Sequence, residues 1–167
     1  TLVTGVGAWT TYVELLRNLG GQLTTPHNFA PGAVAHMAGA SDAVATAIQL
    51  VSAALAVAAL LVAWRYASPE LSLQVTIVAS QLVSSPLRDH YAVLLLLPTA
   101  WLVGRGRTWA VVFPLAGWIS LFGGDAWLPA ASVPITFFAC LAVLLWEVSL
   151  ERRGHARAAA ASEPLSA

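Results

Sequence analysis

Apolar and polar positions follow two different patterns along the chain. Over residues 8–19, Trp9, Tyr12, Val13, Leu16 and Leu19 recur at helical spacing, while Thr10, Thr11, Glu14, Arg17 and Asn18 fill the opposite face. That pattern predicts a short amphipathic helix lying in a membrane interface. Gly20-Gly21 is expected to end it, because glycine readily takes the left-handed conformation of a helix terminus. Beyond residue 42 the alternation gives way to continuous apolar runs. Residues 43–64 carry no charge, and about 20 apolar residues suffice to cross a bilayer as a helix. Further apolar segments cover 71–83, 91–103, 108–122 and 132–150, of which the first two are short for a full crossing.

The breaks between these segments carry the polar chemistry. Residues 22–41 read as a loop punctuated by Pro26 and Pro31, with a helical turn over 33–38 and Ser41 or Asp42 as the cap of the next helix. Pro86 is expected to break the second apolar helix and Pro98 to kink the third. Interrupted helices of this kind often build sites in membrane proteins. Gln74, Gln81 and Ser85 recur at spacings of seven and four, a stripe suited to hydrogen bonding between helices. The fold expected is all-α: a polytopic membrane bundle of about five transmembrane helices plus the interfacial helix. It divides into an extracytoplasmic loop region (1–42), the bundle (43–150) and a disordered, alanine-rich cytoplasmic tail (151–167).

Composition supports the membrane reading. Hydrophobic residues make up 58% and charged residues 10%, against roughly 45–50% and about 25% in soluble proteins. Net charge is zero and all eight basic residues are arginine, so nothing points to a nucleic-acid partner. With five spans and the tail inside, Arg65, Arg105, Arg107, Arg152, Arg153 and Arg157 lie on the cytoplasmic side, and Arg17 and Arg88 outside, as the positive-inside rule requires. Trp64, Tyr66, Trp101, Trp109 and Trp146 then fall near the inner boundary, and Trp9, Tyr12, Tyr91 and Trp127 near the outer one. Glu147, near the inner end of the fifth span, reads as a snorkelling or helix-end residue. Cys140 reads as an inert buried thiol. The expected location is a cell membrane, bacterial plasma membrane in character.

There is no phosphate-binding glycine loop, Cys-x-x-Cys, His-Glu-x-x-His or Gly-x-Ser-x-Gly motif, so neither a metal nor a cofactor is expected. The chemistry concentrates in Ser84-Ser85-Pro86-Leu87-Arg88-Asp89-His90-Tyr91, an ionisable cluster between apolar segments. Arg88 and His90 are donors suited to a phosphate, Asp89 an acceptor or base, and Tyr91 and Trp127 stacking surfaces. The 22–41 loop adds His27, Asn28 and His36. Residues 22–36 and 86–91 are expected to form one outer site, with His27 or Asn28 facing Asp89 and His90 across a cavity.

The string Ser-Ser-Pro-Leu-Arg-Asp-His-Tyr, followed by Ala-Val-Leu-Leu-Leu-Leu-Pro, resembles the Ser-Pro-x-x-Trp-[Asp/Ser]-His-[His/Tyr] segment and proline-containing helix of glycosyltransferase family 87. Those polytopic GT-C enzymes use polyprenyl-phosphate sugars, typically mannose, on the extracytoplasmic side. The resemblance covers most of residues 8–122 and puts Ser85, Pro86, Asp89, His90, Tyr91 and Pro98 on the family pattern. Arg88 stands where the family usually has tryptophan, and Ala30 where serine is common. Family members have about twice as many membrane segments, with an acidic catalytic residue in the first outer loop. The chain, which opens at Thr1, therefore reads as the C-terminal part of such an enzyme, partnered by its own N-terminal half and by membrane lipid. The resemblance implies Asp89 and His90 in catalysis, His90 and Tyr91 near the lipid phosphate, and His27 and Asn28 in a substrate loop, while Arg88 is added to the phosphate by its guanidinium chemistry. The rival expectation is a transporter or non-catalytic membrane subunit whose outer cluster binds its ligand without chemistry.

Overall fold

A computed structural model describes residues 5–20, 27–84, 87–119 and 127–161. Every regular element among them is helical. Helix α1 spans Gly5–Gly20, with Trp9 and Tyr12 half-exposed and their rings packed edge-on at 6.0 Å. Helix α2, Pro31–Met37, leads through a turn at Gly39 into α3, Asp42–Tyr66, whose N-cap is Ser41. Helix α4 spans Pro69–Val83, with Ser68 as N-cap and Pro69 in the first turn, where a missing N–H costs nothing.

The α3–α4 pair explains how an almost uniformly apolar helix chooses a face. The buried positions of α3 are Ala45, Ser52, Ala56, Ala59 and Ala63, whereas Leu50, Val51, Leu55, Leu61 and Trp64 point outward, Trp64 being 82% exposed. A soluble helix would bury its large residues. Here the small ones let two backbones approach, and van der Waals packing does the work, as between helices in lipid. Leu71, Val75, Val78 and Leu82 of α4 fill the space that the alanines leave.

The next two rods share one local device. A 3-10 turn over Asp89–Leu95 runs into α5, Leu96–Gly104, and another over Thr108–Val111 runs into α6, Val112–Gly117. In each, proline is the third residue of the α-helical part, Pro98 and Pro114. The proline ring excludes an ordinary α turn before it, so the preceding residues wind more tightly. Ala110, four residues before Pro114, therefore lacks its helical donor; the Thr99 hydroxyl donates to its carbonyl at 3.4 Å instead. The tighter winding also lengthens the rod. Seven 3-10 and nine α-helical residues reach roughly 28 Å, against about 24 Å if all were α-helical. Between the two rods, Gly106 turns the chain at φ +83°.

After the short helix α7, Trp127–Ala130, helix α8 runs over Ser132–Ala161. Its stripe of Val133, Phe137, Cys140, Leu144 and Val148 enters the common core with α4 and α6. The rods alternate in direction between two ends. Gly117 of α6 packs against Ala92 at the start of the third rod, so closely that an added methyl would lie 3.2 Å from the Ala92 methyl. Two helices, α3 and α8, are long and apolar enough to cross a membrane.

Several expectations are revised. Helix α8 continues to Ala161, so residues 151–161 extend the helix where fraying was expected; 162–167 lie outside the described residues. The fourth apolar segment is described only to residue 119. The glutamine stripe is not one ladder: Gln74 is buried with Oε1 unbonded among the described residues, whereas Gln81 bonds to the exposed Ser80 hydroxyl.

Candidate functional site

One end of the bundle is closed by a join between two loops that lie far apart in sequence. Phe29 N–H donates to the Leu87 carbonyl at 2.6 Å. The Asn28 side chain, 4% exposed, accepts through Oδ1 from Ala30 N–H at 3.0 Å and from Leu87 N–H at 3.2 Å. Leu87 and Ala30 are fully buried beneath it. His27, which opens the loop, is exposed and holds the left-handed region at φ 59°, uncommon for a residue other than glycine.

Helix α3 supports this join from the side. Gln49 Oε1 accepts from Gly32 N–H at 3.2 Å, and its amide nitrogen donates to the Leu82 carbonyl at 3.4 Å. The Ser52 hydroxyl also donates to Leu82 O at 3.4 Å. Leu82 needs these donors, because four residues on the chain has Pro86, which carries no N–H. Gln49 and Ser52 are not marked by any motif; their only signal is that, with Thr46, they are the polar residues of the uncharged run of 43–64.

On this frame the third rod begins. Arg88 is exposed, and His90 is exposed with its ring 4.5 Å from that of Tyr91, whose own side chain is half-buried against the core. Helix α7, which carries the half-exposed Trp127, packs beside α2 at the same end. The bonds to Leu87 thus set the 27–31 loop beside the chain that leads into Arg88, His90 and Tyr91. Asn28 differs from its expected role: its oxygen is engaged by two backbone donors, which makes it a positioning residue of the loop. His36 is drawn to Asp42, Nε2 to Oδ1 at 3.0 Å. The Asp89 side chain, together with residues 85 and 86, lies outside the described part of the structure.

Directly below Pro31 an apolar groove of about 360 Å³ opens between α3 and α8, lined by Val44, Ile48, Val51, Leu55 and Phe138.

The opposite end gathers the arginines. Arg107 Nε donates to Glu147 Oε1 at 2.9 Å, and Glu147 is 5% exposed. Glu147 therefore does not snorkel; it is buried and paired. It continues the α8 stripe from Cys140 and Leu144 at spacings of seven and three, the register signal that marks it as inward-facing. One turn later Glu151 accepts from Ser68 N–H at 2.9 Å and from the Ser68 hydroxyl at 3.2 Å, and lies 3.4 Å from Arg105. Arg105 in turn covers the Trp101 ring at 4.5 Å. Two carboxylates of α8 thus hold the α3–α4 turn and the turn after α5. Compared with known proteins, the chain matches no family model, no curated protein and no solved structure.

Proposed function

We propose that this chain is the C-terminal, membrane-embedded part of a glycosyltransferase that takes a sugar, mannose in the family it resembles, from a polyprenyl phosphate. Transfer goes to a hydroxyl acceptor at the extracytoplasmic face. Five membrane crossings are part of the proposal, with α4 and the two 3-10-led rods as the shorter ones, the Asn28 end outside and the arginine end cytoplasmic. The carrying observation is the Asn28–Leu87 join. It fixes the 27–31 loop beside the start of the Arg88–Tyr91 run, above an apolar groove suited to an isoprenoid tail.

In this reading Arg88 and His90 meet the departing lipid phosphate, where fixed donors lower the barrier most as charge develops. His90 suits the task because its exposed imidazole can donate a hydrogen bond to a phosphate oxygen. Asp89 orients them, and Tyr91 backs the His90 ring. A second reading, binding by a transporter or non-catalytic subunit, is favoured by one observation: Asn28, expected to face substrate, holds backbone instead.

The test is sugar transfer from a polyprenyl phosphate in membranes carrying the full-length protein. His90→Ala is expected to lower transfer more than tenfold, about 1.4 kcal/mol at the transition state. His155→Ala, on the exposed part of α8, is expected to leave it unchanged. Equal, mild effects would remove the site. Binding of the polyprenyl phosphate that depends on His90, without transfer, would establish the second reading.

A further inference from the structure

The arginines at the α8 end fall into two groups. Arg105 and Arg107 face Glu151 and Glu147. Arg65 and Arg152 instead converge on one aromatic ring, that of Tyr66, at 5.2 and 4.6 Å from its centroid. Among the described residues neither has a carboxylate within ion-pair distance, and nor does Arg153. Two guanidinium groups over one ring lie no more than roughly 10 Å apart, so they concentrate positive charge at one place on the surface. The ring stabilises each of them, but its face offers their N–H groups no oxygen acceptor.

Beside them a groove of about 420 Å³ runs between α3 and α8, lined by Val62, Tyr66, Leu145, Val148, Arg152 and Arg153. Its walls are mostly apolar and its charges stand at one end. Guanidinium presents a planar fork that fits two phosphate oxygens. Both flanking helices are long and apolar enough to cross a membrane, and these arginines lie at the ends of their apolar stretches, at the depth of lipid headgroups.

We propose that this groove binds an anionic phospholipid. Arg152 and Arg153, which line the groove, meet the headgroup phosphate, Arg65 across the Tyr66 ring adds to the field that selects a net negative lipid, and one acyl chain lies along Val62, Leu145 and Val148. The site stands whether or not the opposite end transfers sugar, and rests only on α3 and α8 crossing the bilayer.

The test is native mass spectrometry of the full chain in neutral detergent with added phosphatidylglycerol or phosphatidylcholine. Phosphatidylglycerol is expected to stay bound preferentially, and Arg152→Gln to weaken it about fivefold, the effect of one interfacial arginine. Arg152→Lys is expected to retain part of the binding. Arg157→Gln, which removes the same charge from an exposed position on the same helix, is expected to leave it intact. Equal retention of phosphatidylcholine, or an equal loss in Arg157→Gln, would overturn the site in favour of diffuse attraction. Displacement by millimolar inorganic phosphate would overturn the lipid as its ligand. Should Arg152→Gln expose the buried Cys140 thiol and so reveal unfolding, Arg153→Gln, at the second arginine lining the groove, carries the same test.

Discussion

Replacing Asn28 by leucine would keep the volume of the side chain and remove its acceptor. In the native chain Asn28 Oδ1 accepts from the backbone N–H groups of Ala30 and Leu87, and both residues are fully buried. A buried donor stripped of its partner costs about 1–3 kcal/mol. Two of them, eased by some relaxation of the loop, amount to about 2–4 kcal/mol. The Phe29–Leu87 backbone bond survives the change, so the join loosens locally while the bundle persists. The assay is hydrogen exchange at the Leu87 and Ala30 amides. A local loss of about 2 kcal/mol lowers protection roughly thirtyfold, whereas amides in the middle of α3 keep theirs. Asn28→Asp retains an oxygen in the same position and is expected to keep most of the protection. If Asn28→Leu leaves exchange at Leu87 unchanged, the side chain does not hold the two loops together, and the 27–31 loop has no fixed relation to His90.

Three other outcomes follow from the geometry, beside the His90 test. Arg107→Ala strands the buried Glu147 carboxylate and is expected to cost at most about 3–5 kcal/mol, the range for fully buried pairs, because Arg107 is partly exposed. The double change Arg107→Ala with Glu147→Leu is expected to be the milder of the two, read from the temperature at which the Cys140 thiol becomes reactive. Thr99→Val removes one of the two donors to the Ala110 carbonyl, the other being the Val112 N–H, and is expected to cost at most about 1 kcal/mol, a drop of roughly 2–4 °C in the same measurement; no shift would show that the Val112 N–H alone satisfies the carbonyl. Reporter fusions after residues 107 and 126 are expected to give cytoplasmic and external signals respectively, and identical signals would defeat the five-crossing arrangement.

What the sequence alone determines here is periodicity and chain breaks. The amphipathic run at 8–19, the uncharged run at 43–64 and the turn at Gly106 each follow from backbone chemistry and side-chain polarity within a few residues. Pro98 marks the third apolar segment for a kink, but the tight winding before it, and its repeat before Pro114, appear only in the structure. Tertiary structure decided which face is inside. In a uniformly apolar helix such as α3, hydrophobicity does not distinguish Ala56 from Leu55; only packing against α4 does, because close approach of two helices selects the small residue. Glu147 illustrates the same point. Read locally it was a helix-end charge, but its stripe turns inward and meets Arg107 from a turn 40 residues away in the chain. Asn28 and Leu87 are 59 residues apart, and no local pattern encodes their bond. The polar residues of this chain sit where apolar packing brings distant loops together, so their partners became visible only once the helices were packed.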